Sequence, residues 1–153
     1  IRVSELVGID LNDIDWEHNC IRIIRKGGNE DIVYFGDELH RYLEDYINYE
    51  REPGDDKEKA LFVASRKDKG RLTVRSVERI VSKYGTATIP SKHLSPHSLR
   101  RTFGTNYYEE TSDLYAVADA LGHKNIQVTK DHYADISERK KQQVKEFSDK
   151  LLK

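Results

Sequence analysis

The sequence predicts a mostly α-helical fold with one small three-stranded antiparallel sheet, an α+β arrangement with the sheet near the start of the chain. Two patterns carry this. Apolar residues recur at helical spacing through most of the chain, as in Leu39, Tyr42, Leu43, Tyr46 and Ile47. Between Ile14 and Phe35 the period falls to two and the turns are short, so the strands there pair antiparallel. No strand–helix–strand alternation of the kind a parallel sheet requires is present.

The elements follow in order. RVSELV (2–7) reads as a helix stopped by Gly8, and Ile9 to Asn12 lead into a short strand around Ile14 and Trp16. Glu17, His18 and Asn19 turn the chain into CIRIIR (20–25), whose alternation suits a half-buried strand. KGGNE is a glycine-rich hairpin connection and DIVYF (31–35) the return strand. Asp37 is the expected N-cap of a helix running to about Glu52, broken by Pro53-Gly54. LFVA (61–64) is a short strand or extended run, and a basic loop follows it. Thr73 caps a helix carrying Val74, Val77, Ile80, Val81 and Tyr84, and the segment from Gly85 to Pro96 reads as loop. A helix from about His97 to Glu109 comes next. Thr111 or Ser112 then caps DLYAVADAL, with Gly122 as its left-handed stop. IQVTKDHYADI is a short helix or turn, and the chain closes on a helix (137–153) with Val144, Phe147 and Leu151 on one stripe.

Composition bounds the class. At 153 residues the chain is one domain's worth, read here as a single domain over 1–153. A charged fraction of 35% against 37% hydrophobic implies a surface rich in ion pairs, while the periodicity argues against disorder. The single Cys20 excludes an intramolecular disulfide framework and a cysteine-based zinc site, and fits a reducing compartment. No apolar run approaches a membrane span, and no signal peptide is visible. Because the chain starts at Ile1 without a methionine, a fragment of a longer protein is expected.

The net charge of −1 hides an uneven distribution. RKDKGRLTVR (66–75) carries five positive charges against one negative, Arg22, Arg25 and Lys26 form a second basic cluster, and Lys92, Arg100 and Arg101 a third. A polarised molecule with a basic face leaves a DNA partner open.

The stretch from His93 to Tyr133 holds the densest chemistry. His97 and Arg100 lie three apart, on one face of a helix that Pro96 introduces. Its first turn offers backbone N–H groups to an anion. His123 follows a Leu-Gly helix stop, and Tyr133 lies ten residues on. Histidines, a fixed guanidinium and a tyrosine suit phosphate chemistry without a metal. Each signal is weak by itself: H-x-x-R pairs are mostly surface or packing residues, a histidine after a helix is often only a cap, and a lysine in a turn is usually solvated. Gly27-Gly28 is too short to cradle a nucleotide phosphate.

Together, RVSEL, RKGGNE, HSLRRTFGT, LGHKNI and the following tyrosine resemble the catalytic domain of the tyrosine recombinases, the phage-integrase family. The resemblance runs from Arg2 to Tyr133 and includes a C-terminal helix. It implies an active site of Arg2, Lys26, His97, Arg100, His123 and Tyr133, with Glu5 as the supporting acid. It departs at the hairpin, which in the family often reads GKGxKxR, and in the gap of ten from His123 to Tyr133, often nine elsewhere. His132 falls at a variable position and is not assigned to the site. The family's DNA-clamping domain and first catalytic helices are missing from the sequence.

The implied activity is site-specific recombination for integration or excision of a mobile element or phage. Tyr133 attacks a DNA phosphodiester to give a 3′-phosphotyrosine. Arg2 and Arg100 clamp the phosphate, Lys26 acts as general acid, and His97 and His123 serve the tyrosine proton or a phosphate oxygen. Arg25, Arg66, Lys67, Lys69, Arg71, Arg75 and Arg101 are expected DNA-backbone contacts. No cofactor and no metal are implied. Double-stranded DNA is the partner, with self-association into a tetramer through the helix 137–153, in a cytoplasmic, bacterial or phage-encoded protein. The rivals are a type IB topoisomerase, which more often has lysine where His97 stands, a DNA-binding module without activity, and an unrelated helical interaction protein.

Overall fold

The computed structural model describes residues 1–53, 55, 58–64, 70–91, 93–123, 125–131 and 133. The chain divides into two compact units, Ile1–Arg100 and Arg101–Lys153.

The first unit opens with helix α1 (Val3–Gly8). Glu5 starts it, accepting from the Arg2 backbone N–H at 2.6 Å and so satisfying a donor at the helix entry. A 3-10 turn, Leu11–Asp13, leads to strand β1 (Ile14–Asp15), followed by β2 (Cys20–Ile24) and β3 (Glu30–Tyr34). The sheet order is β1-β2-β3, antiparallel throughout, with Ile14 opposite Ile21 and Ile23 opposite Asp31. This is the expected meander.

The period of two decides what each strand buries. Ile21, Ile23 and Arg25 share one phase and turn inward, while Arg22 and Ile24 face out. Val33 and Phe35 face the same interior, and Ile32 and Tyr34 are exposed. The core gathers Ile9, Ile14, Ile23, Leu43 and Leu61.

Helix α2 (Asp37–Asp45) widens into a π-turn over Tyr46–Glu50. Gly36, not Asp37, is its N-cap, so Asp37 sits in the first turn, where its charge favours the helix dipole. The expected apolar stripe is only partly used. Leu43 is buried, but Leu39 and Tyr42 are 46% and 63% exposed. Only the end of the helix reaches the core, where the Tyr46 hydroxyl accepts from the Val63 N–H at 3.2 Å. The run 61–64 forms no strand, being tied by single bridges, Ala60 to Asp10 and Val63 to Arg71.

Helix α3 (Val74–Thr88) is capped by the Thr73 hydroxyl, which accepts from the Ser76 N–H at 3.1 Å. It does not end at Gly85 as expected. Gly85 is buried, and a Cβ there would lie 2.6 Å from Cβ of Leu94, so the glycine is a packing contact inside the helix rather than its stop. Of its expected stripe, Val77 is buried while Ile80 and Tyr84 are exposed.

Helix α4 (Pro96–Thr111) starts with proline at its first position, where the missing N–H costs nothing. Ser95 and Ser98 cap each other: each hydroxyl accepts from the other's backbone N–H, at 2.8 and 3.2 Å. Most of α4 belongs to the second unit. It ends with Ser112 in the left-handed region at φ 57°, so the next cap falls to Asp113 rather than Thr111 or Ser112. The Asp113 carboxylate accepts from the N–H groups of Tyr115 and Ala116 and starts α5 (Leu114–Ala120). Gly122 ends α5 as expected, at φ 60°, with Gly122 N–H to Asp119 C=O and His123 N–H to Ala118 C=O closing the paired C-terminal motif. Residues 126–131 are helical. The core of this unit is Tyr108, Val117, Leu121 and Tyr133. Among the described residues, no helix is long and apolar enough to cross a membrane.

Candidate active site

The first unit holds Arg2, Glu5, Lys26, His97 and Arg100. Glu5 is its electrostatic centre. Its carboxylate is buried and takes Arg2 twice: Oε2 from the backbone N–H, and Oε1 from the guanidinium at 2.8 Å. Arg25 adds a third contact, Nη1 to Oε2 at 3.4 Å, and turns its Nε to Asp31 at 2.8 Å. Burial pushes the Glu5 carboxyl up, but the two hydrogen bonds from Arg2 and the charge of Arg25 outweigh it, and the pKa lies below the ordinary value. Burial likewise opposes ionisation of Asp31, and the Arg25 hydrogen bond reverses it.

The guanidinium of Arg2 is therefore held by a buried counter-charge while its own side chain stays 38% exposed. That is the condition for a preorganised anion clamp. Arg100 is half-buried and belongs to the same unit. His97 lies exposed in the first turn of α4, three residues before the half-buried Arg100.

Lys26 is exposed on the tip of the β2–β3 hairpin. The tip closes through Arg25 N–H to Asn29 C=O at 2.7 Å, and Gly27 and Gly28 take φ of 92° and 80°, which side chains resist. The basic cluster read around it is largely neutralised. Arg22 pairs with Asp13 and Glu30, and Arg25 with Glu5 and Asp31.

The second unit holds His123 and Tyr133. The His123 ring meets the hydroxyl of Thr129, Nδ1 to Oγ1 at 2.9 Å, and Thr129 is fully buried. Tyr133 is only 2% exposed and packs its ring on Tyr108, centroids 5.5 Å apart. Its hydroxyl rests against the backbone of Gly104 so closely that a Cβ at Gly104 would overlap it, and that Cβ would also stand 3.0 Å from Leu121 Cδ1.

Four features escaped the sequence reading. Gly104 is a seat for Tyr133; a glycine inside a helix costs about 1 kcal/mol against alanine, which signals a packing reason. Thr129 is a partner of His123. Arg25, expected to contact DNA, is 8% exposed and paired inside the fold, because it continues the inward phase of β2 one residue past the end of that strand. Arg71 is similarly engaged: its Nη1 donates to the Val7 and Ile9 carbonyls at 2.7 and 3.2 Å and it pairs with Asp10, fastening the end of α1. Arg75 and Arg101 are exposed. Arg66, Lys67, Lys69, His132 and the helix expected over 137–153 lie outside the described residues. Among the described residues, no group of three or more His, Cys, Asp and Glu could hold a metal ion.

The phage integrase family model matches residues 1–140. The tyrosine recombinase XerC of Corynebacterium glutamicum is 41% identical over 129 residues, 84% of this chain and 41% of that protein. The XerC of Vibrio cholerae is 35% identical over the same shares. The chain thus spans about two fifths of the length of these relatives. Among solved structures, the XerA recombinase superposes with a TM-score of 0.76 at 27% identity, covering 86% of this chain and 47% of that one. The XerH site-specific recombinase, in a post-cleavage complex with its palindromic difH substrate, gives 0.73 at 25% identity over 94% and 41%.

Proposed function

This chain belongs to the phage integrase family, and on that premise we propose that it is the catalytic part of a longer site-specific DNA recombinase, which cuts and rejoins strands through a 3′-phosphotyrosine and serves integration or excision of a mobile element. The observation that carries this reading is the seating of Arg2 on the buried Glu5 carboxylate, at the head of an ordered series that continues through Lys26, His97, Arg100 and His123 to Tyr133.

The chemistry assigns each group a task. The Tyr133 oxygen attacks phosphorus and the bond to the 5′ oxygen breaks. The tyrosine proton passes to His97, and Lys26 protonates the leaving 5′ oxygen, an alkoxide that departs poorly by itself. Negative charge grows on the non-bridging oxygens, where Arg2 and Arg100 form charge-assisted hydrogen bonds and His123 donates one more. Losing one such donor costs roughly 3–4 kcal/mol of barrier. The free 5′ hydroxyl of a partner strand then attacks the phosphotyrosine and restores the enzyme. Bond energy is conserved in the covalent link, so the cycle needs no nucleotide cofactor.

Tyr133 is buried beside Gly104, so its hydroxyl has to leave that seat to meet a phosphate. Double-stranded DNA is the substrate and partner, and exposed Arg75 and Arg101 are offered to its backbone. Assembly as a tetramer through residues 137–153 completes the proposal.

The test begins by selecting a binding site from a randomised duplex pool with the full-length protein. A nicked form of the selected duplex, which loses its short cleaved strand, then traps the covalent intermediate. The expected result is a protein–DNA adduct on Tyr133 that Tyr133→Phe abolishes, and that Arg100→Ala abolishes while DNA binding persists. An adduct that survives Tyr133→Phe removes the assignment of the nucleophile.

A further inference from the structure

Lys26 sits on a glycine-rich tip, φ positive at both Gly27 and Gly28, yet a general acid must be placed to within about an ångström. Something has to hold the hairpin. The residue immediately before Lys26 is the one the strand period turns inward: Ile21, Ile23 and Arg25 lie in one phase, facing the interior. A buried arginine just past the end of a strand is costly unless its charge is matched. Here it is matched twice, and by different elements. Nε meets Asp31 of β3 at 2.8 Å, and Nη1 meets Glu5 of α1 at 3.4 Å. Its side chain is 9% exposed, that of Glu5 is 3%, and that of Asp31 is 43%. The same Glu5 carboxylate holds Arg2 through backbone and guanidinium.

We propose that Arg25 is a positioning residue: by binding Asp31 and Glu5 together, it fixes the β2–β3 hairpin, and with it Lys26, in register with the phosphate clamp at Arg2. The inference rests on the recombinase reading, since Lys26 and Arg2 take their roles from it. The planar fork matters. Its nitrogens address two carboxylates in different directions, which an ammonium group on a flexible stem does less well. The hairpin bond Arg25 N–H to Asn29 C=O then leaves Lys26 one residue beyond an anchored backbone. Asp31 locks the strand across the hairpin, and Glu5 locks the hairpin to the helix that presents Arg2.

The experiment uses the full-length protein and the selected nicked duplex in two forms, with oxygen or sulfur at the 5′-bridging position of the scissile phosphate. A thiolate leaves without protonation, so the sulfur form bypasses the general acid alone. Lys26→Ala calibrates the assay, slow on oxygen by roughly 10²–10⁴-fold and restored by sulfur. Arg25→Met is expected to bind DNA normally, to form adduct about 10²-fold more slowly on oxygen, and to recover on sulfur. Arg25→Lys should fall between it and the parent. If Arg25→Met does not fold, Asp31→Asn removes only the half-exposed arm and should show the same split, smaller in size. An oxygen-substrate rate equal to the parent's overturns the proposal, as does a loss that sulfur leaves unrepaired. Absence of adduct from the unmodified protein on both duplexes sinks the recombinase reading, and this inference with it.

Discussion

Gly104→Ala tests the seat of Tyr133 through a double-mutant cycle. In an exposed helix interior the change stabilises by about 0.8–1 kcal/mol. At this position the new methyl overlaps the Tyr133 hydroxyl and stands 3.0 Å from Leu121 Cδ1 and 3.3 Å from Tyr133 Cζ. Expelling the ring would forfeit burial of about 150–250 Å², or about 4–6 kcal/mol at 25 cal/mol per Å². Displacing it within the core costs less, about 1–3 kcal/mol, as overpacking usually does. The ring therefore stays and shifts, and the net effect is a loss of up to about 2 kcal/mol after the propensity gain. In the Tyr133→Phe background the offending oxygen is gone. The remaining contacts yield by a few tenths of an ångström, and the same Gly104→Ala change becomes neutral or stabilising by up to about 1 kcal/mol. Urea denaturation of the four proteins should give a coupling of about 1–2 kcal/mol between the sites, well above the ~0.3–0.5 kcal/mol scatter expected of independent residues. A coupling inside that scatter would refute the seat, and with it the claim that the hydroxyl rests on the α4 backbone.

Four other outcomes follow from the geometry. Glu5 has a folded pKa below its unfolded value, so its contribution is present above about pH 4.3, the ordinary glutamate value, and is lost as pH falls through the folded pKa. Stability measured against pH should drop on the acid side, and Glu5→Gln, weaker at neutral pH, should be flatter there; parallel acid limbs would count against the buried Arg2–Glu5–Arg25 network. Thr129→Val keeps the shape of a fully buried side chain but removes the hydroxyl that orients His123, and should slow adduct formation about tenfold, near the upper end of a single hydrogen bond's worth, with Thr129→Ser restoring it. Arg71→Gln should lower the unfolding free energy by about 1–3 kcal/mol and leave the salt dependence of DNA binding unchanged, because its guanidinium is engaged at the end of α1. Exposed Arg75→Gln should do the reverse, reducing the salt slope by about 1 at constant stability.

Local chemistry wrote the elements into the sequence. The change from helical to alternating period located the sheet, Thr73 capped α3, Gly122 ended α5, and the series from Arg2 to Tyr133 named the family. Those signals reside in neighbours a few residues apart, where sterics and capping act. Helix limits were less legible: Gly85 read as the start of a loop and became a packing contact under Leu94, and the stripe through Leu39 and Tyr42 stayed exposed because only the end of α2 meets the core. Charge was the least legible of all. Arg25 and Arg71 read as open cations beside Lys26 and in a basic loop, yet one is buried between Glu5 and Asp31 and the other is tied to Val7, Ile9 and Asp10. A sequence counts charges, but which arginine is left for a phosphate depends on carboxylates and carbonyls more than sixty residues away, and only the tertiary structure brings those together.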